Sequence, residues 1–187
     1  MRIVLATLAL GVSLAASSAS AERVLATTQE LRENTLVMEL RTGDVTIEMR
    51  PELAPNHVAR IRELVRQGFY NGLKFHRVIE GFMAQTGDPL GNGQGGSGQN
   101  IKAEFSDEPF ERGTVGMARA QHPDSADSQF FIMFRRTPAL DGQYTIWGKV
   151  TDGMEHVDQI RRGDPNKNGI VESPDRIVRL SVEADLP

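Results

Sequence analysis

The sequence predicts a mainly β fold, a closed antiparallel barrel of seven or eight short strands with two helices packed on it. Three observations carry that reading. Apolar residues recur at every second position in several short runs, turn residues such as Gly and Asp separate those runs, and only two stretches show helical spacing. Closing the sheet on itself is how an all-antiparallel protein removes its exposed edges.

The elements follow in chain order. Met1 and Arg2 give a positive start, Ile3 to Ala16 is apolar or small, and Ala19-Ser20-Ala21 forms a small-residue cleavage pattern. Residues 1–21 therefore read as a signal peptide cut after Ala21, which leaves one domain over residues 22–187. The apolar run falls short of the about 20 residues needed to cross a bilayer. Residues 22–34 are polar and mixed, a leading strand or loose lead-in. Leu36, Met38 and Leu40, then Val45, Ile47 and Met49, alternate with other residues around Thr42-Gly43-Asp44, which predicts a hairpin. Pro55 suits the first turn of a helix whose apolar face carries Val58, Ile61 and Val65, and Gly68 stops it. Lys74 to Val78 and Phe82 to Thr86 form a second strand pair around Glu80-Gly81. Residues 87–100 hold six glycines among polar residues and predict a long surface loop. Three more strands are expected over Thr114 to Arg119, Gln129 to Phe134 and Thr145 to Val150. A second helix is expected over Met154 to Arg162 and a closing strand over Asp175 to Glu183.

Composition removes several function classes. The 187 residues carry 25 acidic against 21 basic side chains, a net charge of −4, which disfavours nucleic acid as a partner. No stretch after the leader is long and apolar enough to span a membrane. Without cysteine there is no disulfide, thiolate metal site or cysteine nucleophile. His57, His76, His122 and His156 are not paired at metal-ligand spacing, so no metal is expected. The glycines from Gly91 to Gly98 are followed by no helix that would make them a phosphate cradle. Asp164, Asn166, Asn168, Gly169 and Asp175 imitate part of a calcium loop, but Pro165 and the strand pattern that follows fit a plain polar turn better. No cofactor is expected. The leader, the absence of an N-x-Ser/Thr acceptor and a tail that is no retention signal together favour a bacterial periplasm.

The densest signal lies in three separated segments. They are Phe75-His76-Arg77-Val78-Ile79-Glu80-Gly81-Phe82-Met83-Ala84-Gln85-Thr86-Gly87-Asp88; Gly116-Met117-Ala118-Arg119-Ala120 with Asp127-Ser128-Gln129-Phe130-Phe131-Ile132; and Leu140-Asp141-Gly142 with Trp147-Gly148-Lys149-Val150. In order and spacing they resemble the signature segments of cyclophilins over roughly residues 36–183. The resemblance implies an eight-stranded antiparallel barrel capped by two α-helices, and peptidyl-prolyl cis-trans isomerase activity. It implies catalytic roles for Arg77, Phe82 and Gln85. It also implies peptide binding by Met83, Ala118, Arg119, Ala120, Gln129, Phe131, Leu140 and Tyr144. Strand alternation places Phe75, Arg77 and Ile79 on one face, puts Phe82 on the returning strand, and turns Phe131 away from a core-facing Phe130. Ala139 and Tyr144 stand where many family members carry tryptophan and histidine, and Arg119 where asparagine is common. The expected partners are proline-containing segments of exported proteins as they fold, met by a monomer free of the membrane once the leader is cut. The competing expectation is a peptide-binding chaperone or scaffold on the same fold.

Overall fold

The computed structural model describes residues 10–187, with side chains from residue 22 onward. The first nine residues of the expected leader lie outside the described residues. One helix, α1, runs through Leu10–Glu33, so the expected strand or loose lead-in over residues 22–34 is replaced by helix. The cause is local propensity: Val24 to Glu33 is free of Gly and Pro and rich in good helix formers. Its end is tied to the domain by Arg32, which donates to Glu183 O at 2.9 Å and Leu186 O at 3.0 Å. Among the described residues no helix is long and apolar enough to cross a membrane.

The period-two runs form the sheet. Strands β1 (Thr35–Leu40) and β2 (Gly43–Met49) pair antiparallel from Thr35 opposite Glu48 to Leu40 opposite Gly43. The turn is Arg41-Thr42, tighter than expected, because Gly43 already belongs to the ladder. Helix α2 (Pro55–Arg66) begins with its proline and buries His57, Val58, Ile61, Leu64 and Val65. The remaining strands are β3 (Arg77–Ile79), β4 (Met83–Thr86), β5 (Thr114–Met117), β6 (Phe130–Met133), β7 (Ile146–Asp152) and β8 (Arg179–Val182). They form one eight-stranded sheet in the order β3-β4-β6-β5-β7-β2-β1-β8, with antiparallel pairs throughout.

The sheet curls into an open half-barrel rather than the closed barrel expected. β3 is only three residues long, and its free edge is covered by the 163–171 segment instead of by β8. Val78 N–H donates to Gly169 O at 2.8 Å, and Gly163 N–H donates to Val78 O at 2.9 Å. Ahead of the two edge strands, a single bridge joins Lys74 to Arg176. The second expected helix is also shorter than its sequence pattern. Helix α3 covers Met154–Asp158, and beyond it the Arg161 N–H donates to Asp175 Oδ2 at 2.8 Å instead of continuing the helical ladder.

Alternation along the strands divides the apolar residues between two faces. Leu36, Met38, Val45, Ile47, Phe130, Ile132 and Trp147 fill the main core with α2. There Phe130 meets Trp147 and Tyr70 edge-on, with ring centroids 5.4 Å and 5.5 Å apart. The opposite face of β4 and β6 carries Met83, Phe131 and Met133, joined by Phe110 and Ile146 in a second, smaller cluster. That second cluster underlies a surface groove.

Candidate active site

A surface groove of ≈ 640 Å³ opens over the second cluster. Its floor follows from β-alternation: Phe130 and Ile132 point into the main core, so Phe131 must point out. Phe131 stacks on Phe110 at 5.8 Å and meets Tyr144 edge-on at 5.8 Å. Residue 116 beneath these rings must be glycine, because a Cβ there would lie 2.7 Å from both Phe110 and Phe131. Met83, Phe82, Leu140 and Ala118 complete an apolar wall. Phe82 sits in the turn before β4 rather than on the strand, held by its N–H to Ile79 O at 3.0 Å.

Arg77 rises at one side from β3, half-buried. Its position corrects one expectation: Phe75 does not share its face but is fully buried in the main core. The strand begins only at Arg77, so alternation has no authority over Phe75. Arg77 Nη1 donates to Gln85 Oε1 at 3.1 Å, across the register that pairs these two residues. Gln85 Nε2 donates to Gln129 Oε1 at 2.9 Å, and Gln129 Nε2 donates to Gly93 O at 3.1 Å and Gly95 O at 2.8 Å. The direction of this chain is forced. Arginine can only donate, so each amide in turn must present its oxygen towards Arg77 and its NH₂ away. Burial lowers the Arg77 pKa from the ordinary arginine value, with the Tyr144 phenol opposing weakly. Arginine remains charged at neutral pH even so.

The structure gathers nine of the expected site residues into this groove: Arg77, Phe82, Met83, Gln85, Ala118, Arg119, Phe131, Leu140 and Tyr144. The other two, Ala120 and Gln129, line an adjoining hollow of ≈ 410 Å³ that shares Gln85, Gly93, Ala118 and Arg119 with the groove. Arg119 lies between the two, its guanidinium 4.6 Å above the Tyr144 ring and donating to Gln143 O, Ala120 O and Gln121 O. The glycine-rich loop forms the far wall. Two carboxylates hold it: Asp88 accepts from Leu90, Asn92 and Gly93 N–H, and Asp127 from Ser97 and Gly98 N–H.

Four groups of lining residues were not foreseen: His76, Gly91 to Gly93, Asn168 and Ile170. His76, considered in the sequence only as a metal ligand, is buried in the groove wall. Asn168 and Ile170 come from the segment that imitates a calcium loop. There Asp164 Oδ1 accepts from Asn166 N–H, Asp175 Oδ2 from Arg161 N–H, and Asn168 Oδ1 from Arg77. Those oxygens hold the segment and the groove together.

The fold and groove find close counterparts. The family model described as cyclophilin type peptidyl-prolyl cis-trans isomerase/CLD matches residues 35–182. The chain belongs to the cyclophilin-type peptidyl-prolyl cis-trans isomerase family. A Brucella suis protein named a probable peptidyl-prolyl cis-trans isomerase is 56% identical, with 82% of this chain and 84% of the relative aligned. Peptidyl-prolyl cis-trans isomerase B of Bacillus subtilis is 45% identical over 68% of this chain and 90% of its own length. Among solved structures, a cyclophilin from Hirschia baltica superposes with a TM-score of 0.74 at 30% identity, covering 83% of this chain and 76% of that one. A Cryptosporidium parvum cyclophilin-type isomerase crystallised in the presence of the dipeptide Ala-Pro gives 0.73 at 29% identity, covering 79% and 98%. In this cyclophilin the family's fold is thus joined to a groove whose one wall is apolar and whose other wall carries an oriented arginine.

Proposed function

We propose that the chain accelerates rotation about X-Pro bonds by binding the twisted amide more tightly than either planar isomer, with Arg77 as the stabilising cation. The observation that carries this reading is the guanidinium, held by Gln85 beside the Phe82, Met83, Phe131 and Leu140 wall.

The physics of the reaction sets what is required. Rotation costs about 18–20 kcal/mol because amide resonance is lost at the twisted state. The uncatalysed step takes tens to hundreds of seconds. Reaching milliseconds needs about 7 kcal/mol of differential stabilisation. No covalent bond is made or broken. In the twisted amide the proline nitrogen regains a lone pair, to which a guanidinium N–H can donate, and the carbonyl oxygen can be steadied likewise. The apolar wall receives the pyrrolidine ring and keeps water from the amide, which strengthens each hydrogen bond Arg77 makes. In this reading Gln129 and the 118–120 backbone hold the flanking peptide, and their lining of the groove and the adjoining hollow supports it. The Ala-Pro dipeptide named with the Cryptosporidium relative supports a proline-containing ligand of this kind.

The same proposal places the enzyme in the periplasm, acting as a monomer on exported chains while they fold. The support is the leader pattern of residues 1–21.

Two measurements test the proposal. Exchange NMR on an Ala-Pro peptide reports isomerisation by wild type and by Arg77→Lys. Lysine keeps the charge but loses the planar set of donors, so kcat is expected to fall at least tenfold with the fold retained. Equal rates for the two proteins would mean that charge alone suffices and that the oriented donors have no part. For export, the N-terminus of envelope-extracted protein is expected at Glu22, and an intact Met1 would refute the leader.

A further inference from the structure

The 163–170 segment, between α3 and β8, has an unusual backbone for its sequence. Pro165–Lys167 forms a single 3₁₀ turn, Asn168 follows at φ 53, and Gly169 at φ 77. Positive φ is natural for glycine and tolerated by asparagine at some cost. Gly169 has no alternative, because a Cβ there would lie 2.5 Å from Ile79 Cγ1 and 3.0 Å from Val78 O. It packs against β3 because the segment takes the place of a neighbouring strand there.

Asn168 is different. Glycine would adopt φ 53 more easily, so the side chain needs another reason. Its Oδ1 accepts from Arg77 Nη2 at 2.9 Å, and its backbone oxygen accepts from Arg77 Nε at 3.1 Å. Gln85 Oε1 takes the Nη1 side. A guanidinium carries five N–H groups in one plane. Three acceptors on its three nitrogens fix that plane and leave one N–H each on Nη1 and Nη2. Without Oδ1, only the Nη1 contact to Gln85 and the Nε contact to the residue 168 carbonyl remain, and the Nη2 corner of the plane is unheld.

We propose that Asn168 is a positioning residue for the isomerase, holding the plane of the Arg77 guanidinium so that its remaining N–H groups meet the twisted amide. The inference rests on the reading of Arg77 as the stabilising cation.

The test uses the full chain and two variants. Asn168→Gly keeps the backbone conformation and the carbonyl but removes Oδ1, whereas Asn168→Asp keeps an acceptor in place. For Asn168→Gly the expected result is a fall in kcat of about tenfold, the size of one charge-assisted hydrogen bond, with KM within about twofold. Asn168→Asp is expected to recover kcat to within about threefold of wild type, since the acceptor is restored. In an Arg77→Ala background Asn168→Gly is expected to have no further effect, because a residue acting through Arg77 has nothing left to act on. In the free protein, the order parameter of the Arg77 Nε–H is expected to drop in Asn168→Gly and to hold in Asn168→Asp. An unchanged kcat, an equal loss in the Arg77→Ala background, or unchanged Arg77 mobility would each overturn the proposal. Should wild type fail to isomerise the peptide, the Arg77 reading falls, while the mobility measurement still decides whether Asn168 orders the arginine.

Discussion

At the scale of single residues, the site depends on the direction of its hydrogen bonds. Arg77 donates to Gln85, Gln85 to Gln129, and Gln129 to two glycine carbonyls. Gln85→Glu would pair more strongly with Arg77 but would set its second oxygen against Gln129 Oε1. Gln129 would then have to flip and point an oxygen at the Gly93 and Gly95 carbonyls. The expected outcome is a fall in kcat/KM of about tenfold, measured by exchange NMR, since one buried polar group left unmatched costs about 1–3 kcal/mol. Phe130 offers a contrast of one position. Phe130→Ala removes a ring fully buried against Tyr70 and Trp147 and is expected to cost about 3–5 kcal/mol in chemical denaturation. Phe131→Ala is expected to raise KM as well, because that ring forms the groove floor. The alternation of β6 made this division visible in the sequence. Phe75 lies before the three-residue strand β3, where alternation no longer fixes which face a side chain takes. The contact of Asn168 with Arg77 spans 91 residues, and no local pattern encodes it.

At the scale of elements, most strands were legible because period-two apolar runs between glycine turns have few other solutions. The helices were less so. α1 was missed because its apolar residues Val24, Leu25 and Leu31 stay exposed, so no buried stripe marks it. α3 is cut short by the Asp175 carboxylate, which comes from another part of the chain. The glycine-rich loop was foreseen as a loop, but its order was not. Asp88 is 1% exposed and accepts from three N–H groups of the loop, those of Leu90, Asn92 and Gly93, so the glycines are pinned rather than free. Burial acts to raise the Asp88 pKa, but the N–H groups of Leu90, Gly93, Asn92 and Gly91 outweigh it and hold the carboxyl below the usual range. Asp88→Asn turns one acceptor into a donor facing those N–H groups. It is expected to raise KM about tenfold with kcat little changed, because the loop wall moves while Arg77 stays, at about 1.4 kcal/mol for each factor of ten.

At the scale of the whole molecule, four ionisable groups inside the fold, His57, His76, Asp88 and Glu104, act in one direction. Burial holds the His57 pKa below its ordinary value of 6.5, against the opposing pull of Glu104, whose Oε2 lies 2.6 Å from His57 Nδ1. Burial likewise lowers His76. For Glu104, burial acts upward but is outweighed by hydrogen bonds from His57 and Asn56, so its pKa is lowered. In each case the unfolded chain binds the proton more tightly than the folded one. Stability is therefore fully present above pH 6.5. It falls first as the unfolded histidines protonate, and again below the ordinary carboxylate values of 4.5 and 3.8 as Glu104 and Asp88 do. Thermal melting at pH 7.5, 5.5 and 4 is expected to show a stepwise drop, and a melting temperature that rises on acidification would contradict this. The open sheet belongs to this scale too. The antiparallel β class was readable from spacing and the pocket residues from the family resemblance, whereas closure depended on which segment pairs with the β3 edge. The 163–171 segment took that edge, and in doing so it brought Asn168 and Ile170 to the groove.

The central claim is that Arg77 does the catalytic work and the apolar wall does the holding. The most direct test compares wild type and Arg77→Ala for both isomerisation rate and affinity for an Ala-Pro peptide, with the fold checked by circular dichroism. The account predicts a loss of about a hundredfold or more in kcat, the usual cost of removing an oriented donor, and a peptide affinity within a few-fold of wild type. An Arg77→Ala protein that isomerises as fast as wild type would contradict it, and would leave the groove as a peptide-binding surface whose turnover comes from elsewhere.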